Sequence, residues 1–152
     1  PSAQDLIRDG KRSSAPFYGN LNMFFYNPKH KKTLPYYDTF PLVLPLEPYS
    51  DGFLGINLHY LPIGLRVRLL DRLVDFSNNV KFDESTRLMV DYKKVQNIRL
   101  IRPTIHKYLK GHTMSQFRKI DADEFTVATL LPVQRFKKAT AKEVWADSRG
   151  MI

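Results

Sequence analysis

The hydrophobic period of the chain changes at Pro62, and that change limits the folds open to it. Before Pro62, short apolar runs are cut by proline and glycine: LNMFFY at 21–26, TFPLVLPLE at 39–47 and FLGINL at 53–58. Runs of this length, rich in aromatic and branched side chains and bounded by turn residues, read as strands. After Pro62, Leu65, Leu69, Leu73 and Phe76 recur at helical spacing, with Leu70 beside them and no Gly or Pro between Leu65 and Phe76. Pro62 suits the start of that helix, since the first turn needs no N–H from it. The expected fold class is α+β: a small antiparallel β-barrel or curled sheet, with helices following. The leucine stripe and Phe76 are expected to pack on the sheet holding Phe53 and Ile56, with Arg66, Arg68 and Arg72 pointing elsewhere.

Proline sets further limits. Pro41 and Pro45 lie four apart, so in a strand their missing N–H groups fall on one side, and the strand belongs at a sheet edge or carries a bulge. Asn27-Pro28 starts a turn, PYSDG at 48–52 is a second, and Gly55 permits a bend or close approach. Further helices are expected at 85–95 and 103–110. A short one is expected from a cap at Asp121 through Glu124, and a last one after the capping-box pair Thr140 and Glu143, carrying Val144 and Trp145. Residues 128–133 read as a returning strand stopped at Pro132. Residues 1–16, polar and basic, read as an N-terminal arm with a short helix near 5–9, and 17–152 as a single globular domain.

The formal charge of +9 points to an anionic partner: nucleic acid, a membrane surface or an acidic protein. No apolar run approaches the roughly 18 residues of a membrane span, so no membrane partner is expected. With no cysteine, disulfides and thiolate metal sites are excluded. The polar N-terminus lacks the core of a signal peptide, and Pro1 is what removal of an initiator Met would leave; a soluble protein made and used inside a cell is expected.

Eight basic residues fall between Tyr92 and Ile120: Lys93, Lys94, Arg99, Arg102, Lys107, Lys110, Arg118 and Lys119. No Asp or Glu lies between Asp91 and Asp121. His106 and His112 lie in the same stretch. Such a run serves phosphate contact, docking on an acidic protein, or a solvated face. A second cluster, Lys29-His30-Lys31-Lys32, stands beside Tyr26, Tyr36 and Tyr37. Those rings either stack on bases or pack against the neighbouring prolines, and packing is the commoner use.

Catalytic patterns are weak. The four histidines, His30, His59, His106 and His112, include no i, i+4 pair of the zinc type, and neither a glycine-rich phosphate loop nor a nucleophile elbow is present. No catalytic residue, metal, cofactor or small-molecule substrate is expected. Asp91-Tyr92-Lys93 loosely resembles a nuclease metal site, which makes a magnesium-dependent nuclease using Asp91 and Lys93 a remote alternative. His59 is the one histidine worth watching, with a hydrogen-bonded structural role favoured.

Three segments, YNPKHKKTLPYYDTFPLVLPLE at 26–47, DGFLGINLHYLP at 51–62 and LRVRLLDRL at 65–73, are followed by ATLLPV at 128–133 and then QRFKKA. As a group they resemble a family of small proteins from large contractile-tailed bacteriophages (myoviruses), over roughly 21–145. The resemblance implies a virion or assembly role in a protein made in the host cytoplasm and carried in the virion. Such phage proteins include tail, baseplate and neck components and head-completion proteins that protect the DNA end. The leading expectation is a non-enzymatic structural subunit of the tail and baseplate region that binds other virion subunits. Its interface would use Tyr36, Tyr37, Phe40, Tyr49 and the arm residues Arg8, Lys11 and Arg12. The second expectation is a DNA-binding, DNA-end-protecting factor whose contacts are Lys29, Lys31 and Lys32 with the eight basic residues after Tyr92.

Overall fold

The computed structural model describes residues 10–77 and 90–152. Eight strands and four α-helices, joined by short 3-10 turns, make up those residues. The strands are β1 (Arg12–Ser13), β2 (Leu21–Met23), β3 (Tyr37–Asp38), β4 (Leu42–Tyr49), β5 (Gly52–Asn57), β6 (Ile105–Leu109), β7 (Phe117–Ile120) and β8 (Phe136–Lys137). The helices are α1 (Ile63–Ser77), α2 (Tyr92–Val95), α3 (Phe125–Leu130) and α4 (Ala141–Met151).

Six strands form one antiparallel sheet in the order β1-β7-β2-β4-β5-β6, and β3 pairs with β8 in a small second sheet. The large sheet is open and curled. Beyond β2 the chain crosses to the segment after β6, where Tyr26 bridges Thr113 and the Met114 N–H donates to the Phe25 carbonyl at 2.8 Å. The α+β expectation of a curled sheet with helices therefore holds. Within the expected arm, Arg12 and Ser13 pair with Arg118 and Phe117. The buried Asn22 side chain accepts from the Phe17 N–H at 2.8 Å and donates to the Phe17 and Asn20 carbonyls, which fixes the segment leading into β2.

β4 takes the bulge rather than the edge. It lies between β2 and β5, with register shifting between Pro45 and Glu47. β2 pairs with it only at Leu42 and Val43, so Pro45 lies past the end of that ladder and deprives it of no donor. Gly52 is required by β6: a Cβ there would lie 1.9 Å from the Tyr108 carbonyl oxygen.

Strand alternation divides the interior in two. On one face Leu21, Met23, Leu42, Leu44 and Ile56 pack with Leu69, Leu70 and Leu73 of α1 and with Phe125 and Ala128 of α3. On the other, Phe24, Tyr26, Val43, Phe53, Tyr108 and Phe117 form an aromatic cluster. The leucine stripe thus packs as expected on Ile56, but Phe53 lies on the opposite face, because it alternates with Ile56 along β5 by an odd number of residues. The Phe76 side chain lies outside the described residues.

Arg66 does not point outward as expected. It is fully buried and donates to main-chain carbonyls: Leu61 at 2.8 Å, Thr129 at 3.1 Å, Leu131 at 3.4 Å and His59 at 3.5 Å. Its guanidinium also lies 5.6 Å from the Trp145 ring centre. Burial pushes its pKa down to about 10, with the Asp38 charge pulling the other way, which leaves it cationic at neutral pH. Arg68 and Arg72 are exposed.

Two local expectations are overturned by long-range pairing. The stretch 103–110 is not a helix but holds β6, which pairs with β5 along five residues. The stretch 128–133 is not a strand: residues up to Leu130 belong to α3, whose buried Phe125 and Ala128 pack under α1 and whose end supplies carbonyls to Arg66. Of the helix expected at 85–95, α2 is the described part; residues 85–89 lie outside it. The short helix after Asp121 is a 3-10 turn, Ala122–Glu124, leading into α3. The capping box at Thr140 and Glu143 is formed, with both reciprocal bonds present.

Candidate nucleic-acid interface

The basic loop that follows Asn27 is held at both ends. At its start the Asn27 N–H donates to the His112 carbonyl at 3.0 Å, and His112 Nδ1 lies 2.9 Å from the Asn27 carbonyl oxygen. Inside it the His30 carbonyl accepts the Thr33 and Leu34 N–H groups. At its end Tyr37 and Asp38 pair with Lys137 and Phe136. Lys138, in the left-handed region at φ 71°, turns its ammonium onto the Leu34 carbonyl at 2.8 Å and onto the Lys31 carbonyl. Lys29, His30, Lys31 and Lys32 are thereby displayed, exposed, on a pinned loop.

Beside this loop the aromatic face of the sheet opens into a hollow of about 350 Å³. Tyr26, Tyr36, Tyr60, His106 and Tyr108 are among its walls, and Lys29, His30 and Lys107 also line it. The Tyr60 and His106 rings lie 4.3 Å apart at 32°, and Tyr36 and Tyr60 lie 6.2 Å apart at 37°. Tyr26 and Tyr108 meet edge to face at 5.0 Å. The Tyr26 hydroxyl accepts the Leu109 N–H at 2.9 Å, and His106 Nε2 lies 3.2 Å from the Pro103 carbonyl oxygen. Burial pushes the His106 imidazole down to about 4, against the opposing pulls of that carbonyl and of Asp38, so the ring is neutral at pH 7.

Behind the hollow lies a buried polar knot. Asp38 Oδ2 is 2.8 Å from His59 Nδ1 and accepts from the Asn57 amide at 3.0 Å, while Oδ1 accepts the Phe40 and Arg135 N–H groups. Burial alone would raise the Asp38 carboxyl, but His59, Asn57 and the Phe40 N–H outweigh it and hold the pKa below the ordinary value. The His59 carbonyl accepts the Trp145 indole N–H at 2.9 Å. His59 is fully buried: its Nδ1 holds Asp38, and its Nε2 has no hydrogen-bond partner among the described residues.

The eight basic residues after Tyr92 do not gather in one place. Arg99 joins Arg68 and Arg72 in an open groove where, among the described residues, Asp71 is the one carboxylate. Lys93 and Lys94 are exposed on α2, and Arg102 is exposed just beyond Arg99. Lys107, on the strand beside the aromatic hollow, pairs with Asp51 at 3.0 Å and sits 5.2 Å from the Tyr49 ring centre, both outside the hollow. Lys110 lines a third hollow, together with Tyr49 and Phe53. On β7, Lys119 pairs with Asp121 at 3.1 Å, and Arg118 stands opposite Arg12.

Among the residues expected at a protein interface, Tyr36 and Tyr37 are half-buried beside the hollow, and Tyr49, Lys11 and Arg12 are exposed. Phe40 is a correction: it is 2% exposed and packs against Phe25 at 4.6 Å, so it belongs to the core. Arg8 lies outside the described residues. For the nuclease alternative, Asp91 belongs to no group of three or more possible ligands among the described residues. Among the described residues, Asp121, Asp123 and Glu124 are the group close enough to share a cation, and Asp91 is not part of it. Sequence reasoning passed over Tyr60, His106 and Tyr108 as walls of one hollow. The HY pair at 59–60 and the alternation of His106 with Tyr108 were the available signals.

Fold and site define a small basic α+β protein whose exposed cations stand beside an aromatic hollow and in an arginine groove. Over residues 3–148 the chain matches the family described as phage T4 terminal DNA protecting protein, and it belongs to that bacteriophage family. No curated protein and no solved structure matches it. The family match overturns the expectation of a tail and baseplate subunit. The motifs that carried the resemblance named no station in the particle, whereas the match over nearly the whole chain is to a family named for terminal DNA.

Proposed function

We propose that this chain binds the ends of linear phage DNA and shields them by occupancy, without chemistry of its own, and travels with that DNA in the virion. The observation that carries this reading is the match over residues 3–148 to a family described as protecting terminal DNA. The net charge of +9, the displayed Lys29–Lys32 loop and the groove of Arg68, Arg72 and Arg99 supply phosphate contacts in keeping with it. No helix among the described residues is long and apolar enough to cross a membrane. The test is binding to a linear duplex and to a covalently closed circle of the same sequence across a salt series. Six or so phosphate contacts give a loss of affinity of about 10³-fold between roughly 50 and 200 mM salt, and the linear form is held more tightly. Equal affinity for circle and linear duplex, or none for either at low salt, would overturn the reading.

A further inference from the structure

A grip on phosphates alone cannot tell a DNA end from its interior, because the charge along the duplex is uniform and phosphate contacts carry no further information. What an end offers that the interior does not is a terminal nucleotide free to leave the stack at the cost of one stacking contact, or already unpaired. Single-stranded nucleotides are held by aromatic faces that accept any base, next to cations that take the backbone.

The hollow beside the Lys29–Lys32 loop has those parts. Its volume of about 350 Å³ accommodates a nucleotide and no length of duplex. The Tyr36, Tyr60 and His106 rings line it, with Tyr60 and His106 packed on each other at 4.3 Å and the half-buried Tyr36 6.2 Å from Tyr60. The walls are fixed beforehand: His106 by Pro103, Tyr26 by the Leu109 N–H, and the Tyr37–Asp38 strand by the buried Asp38, Asn57 and His59 knot. Lys29 and His30 stand exposed at its rim.

We propose that this hollow takes the unpaired terminal nucleotide of a DNA strand, its base against Tyr36, Tyr60 and His106 and its phosphate on Lys29. This inference rests on the DNA-end reading above and adds how the end is told from the interior.

The experiment uses the whole chain and a duplex with a short single-stranded overhang. 2-Aminopurine is placed at the terminal base in one version and deep in the duplex in another, and a third version has both ends closed by hairpins. The terminal probe is expected to be quenched on binding and the internal probe unchanged. Tyr36→Ala should abolish the quenching and weaken binding to the overhang by about ten-fold or more, the scale of one base–aromatic stack. Tyr36→Phe should restore both. Lys29→Gln, at an exposed site, weakens binding several-fold with quenching retained at saturation. If open-ended duplex is preferred over the hairpin-closed form while the terminal probe stays bright, the hollow is not the nucleotide site, although the DNA-end reading stands. If open and closed duplexes bind equally, the DNA-end reading fails and takes this inference with it.

Discussion

The two faces of the large sheet are covered by different chemistry and end differently. On the aliphatic face, Leu42 and Leu44 of β4 meet α1 and α3, and the space is filled by side chains that are 0% exposed, such as Leu69, Leu21 and Leu61. On the opposite face, Val43 joins Phe24, Phe53, Tyr108 and Phe117, whose rings meet edge to face or stacked at 4.6–6.1 Å. Branched aliphatic chains interdigitate and close a layer completely. Flat rings hold fixed tilts and carry polar tips that seek partners, and their row runs out through Tyr60 and His106 into an open hollow. One strand thus turns Leu42 and Leu44 into the aliphatic core and Val43, also 0% exposed, into the aromatic one. Arg66 and the Asp38 knot lie between the helices and that hollow and tie the two regions together.

The comparison breaks most severely at Arg66. Replacing it with Ala removes donors from the carbonyls of Leu61, Thr129, Leu131 and His59 and leaves a large cavity, so Arg66→Ala should cost about 4 kcal/mol or more in chemical denaturation. A loss under about 1 kcal/mol would mean that water replaces the guanidinium and that the helical layer is held otherwise. Leu69→Ala tests the aliphatic face alone and should cost about 3 kcal/mol. Arg68→Ala, one residue earlier but exposed, should stay within about 0.5 kcal/mol. If those two results were exchanged, the assigned face of α1 would be wrong.

A smaller effect separates the two faces by pH. In the unfolded chain a histidine takes up a proton near pH 6.5, but folded His106 does so only near 4. Between those values the unfolded state binds more protons, so stability falls as pH drops from about 6.5 to 4. Asp38 acts at lower pH: its folded pKa is depressed, so its contribution is present above the ordinary carboxylate value and is lost as pH falls below it. His106→Phe keeps a ring beside Tyr60 and removes the titration. Its melting temperature should be flat across pH 4–6.5 where that of the parent declines. Parallel declines in the two proteins would place the acid sensitivity elsewhere.

Much of the aliphatic half was legible in the sequence, because its signals are local. The 3.6-residue spacing of Leu65, Leu69 and Leu73, the proline at the helix start, and the Thr140 and Glu143 box each act within a few residues. The aromatic half depends on partners far apart in the chain. The segment IHKYL is a strand because it pairs with β5 far back in the chain, and within 105–109 only the alternation of His106 with Tyr108 hints at it. The walls of the hollow come from Tyr36, Tyr60 and His106, and no spacing rule links them. Arg66 had the same sequence surroundings as Arg68 on an amphipathic helix; what buries it is the set of carbonyls turned inward by residues 59–61 and 129–131. The phage resemblance was legible in grouped motifs, but the place in the particle was not.

The claim that the exposed cations beside the aromatic hollow shield DNA ends meets its most direct test in exonuclease digestion. A linear duplex is exposed to a processive exonuclease at low salt, with and without saturating protein. Full-length DNA should persist in the presence of the chain, and replacing Lys29, Lys31 and Lys32 together with Ala should restore degradation without changing the melting temperature. Digestion at the same rate with and without the protein, under conditions where the exonuclease itself is uninhibited on a control substrate, would contradict it.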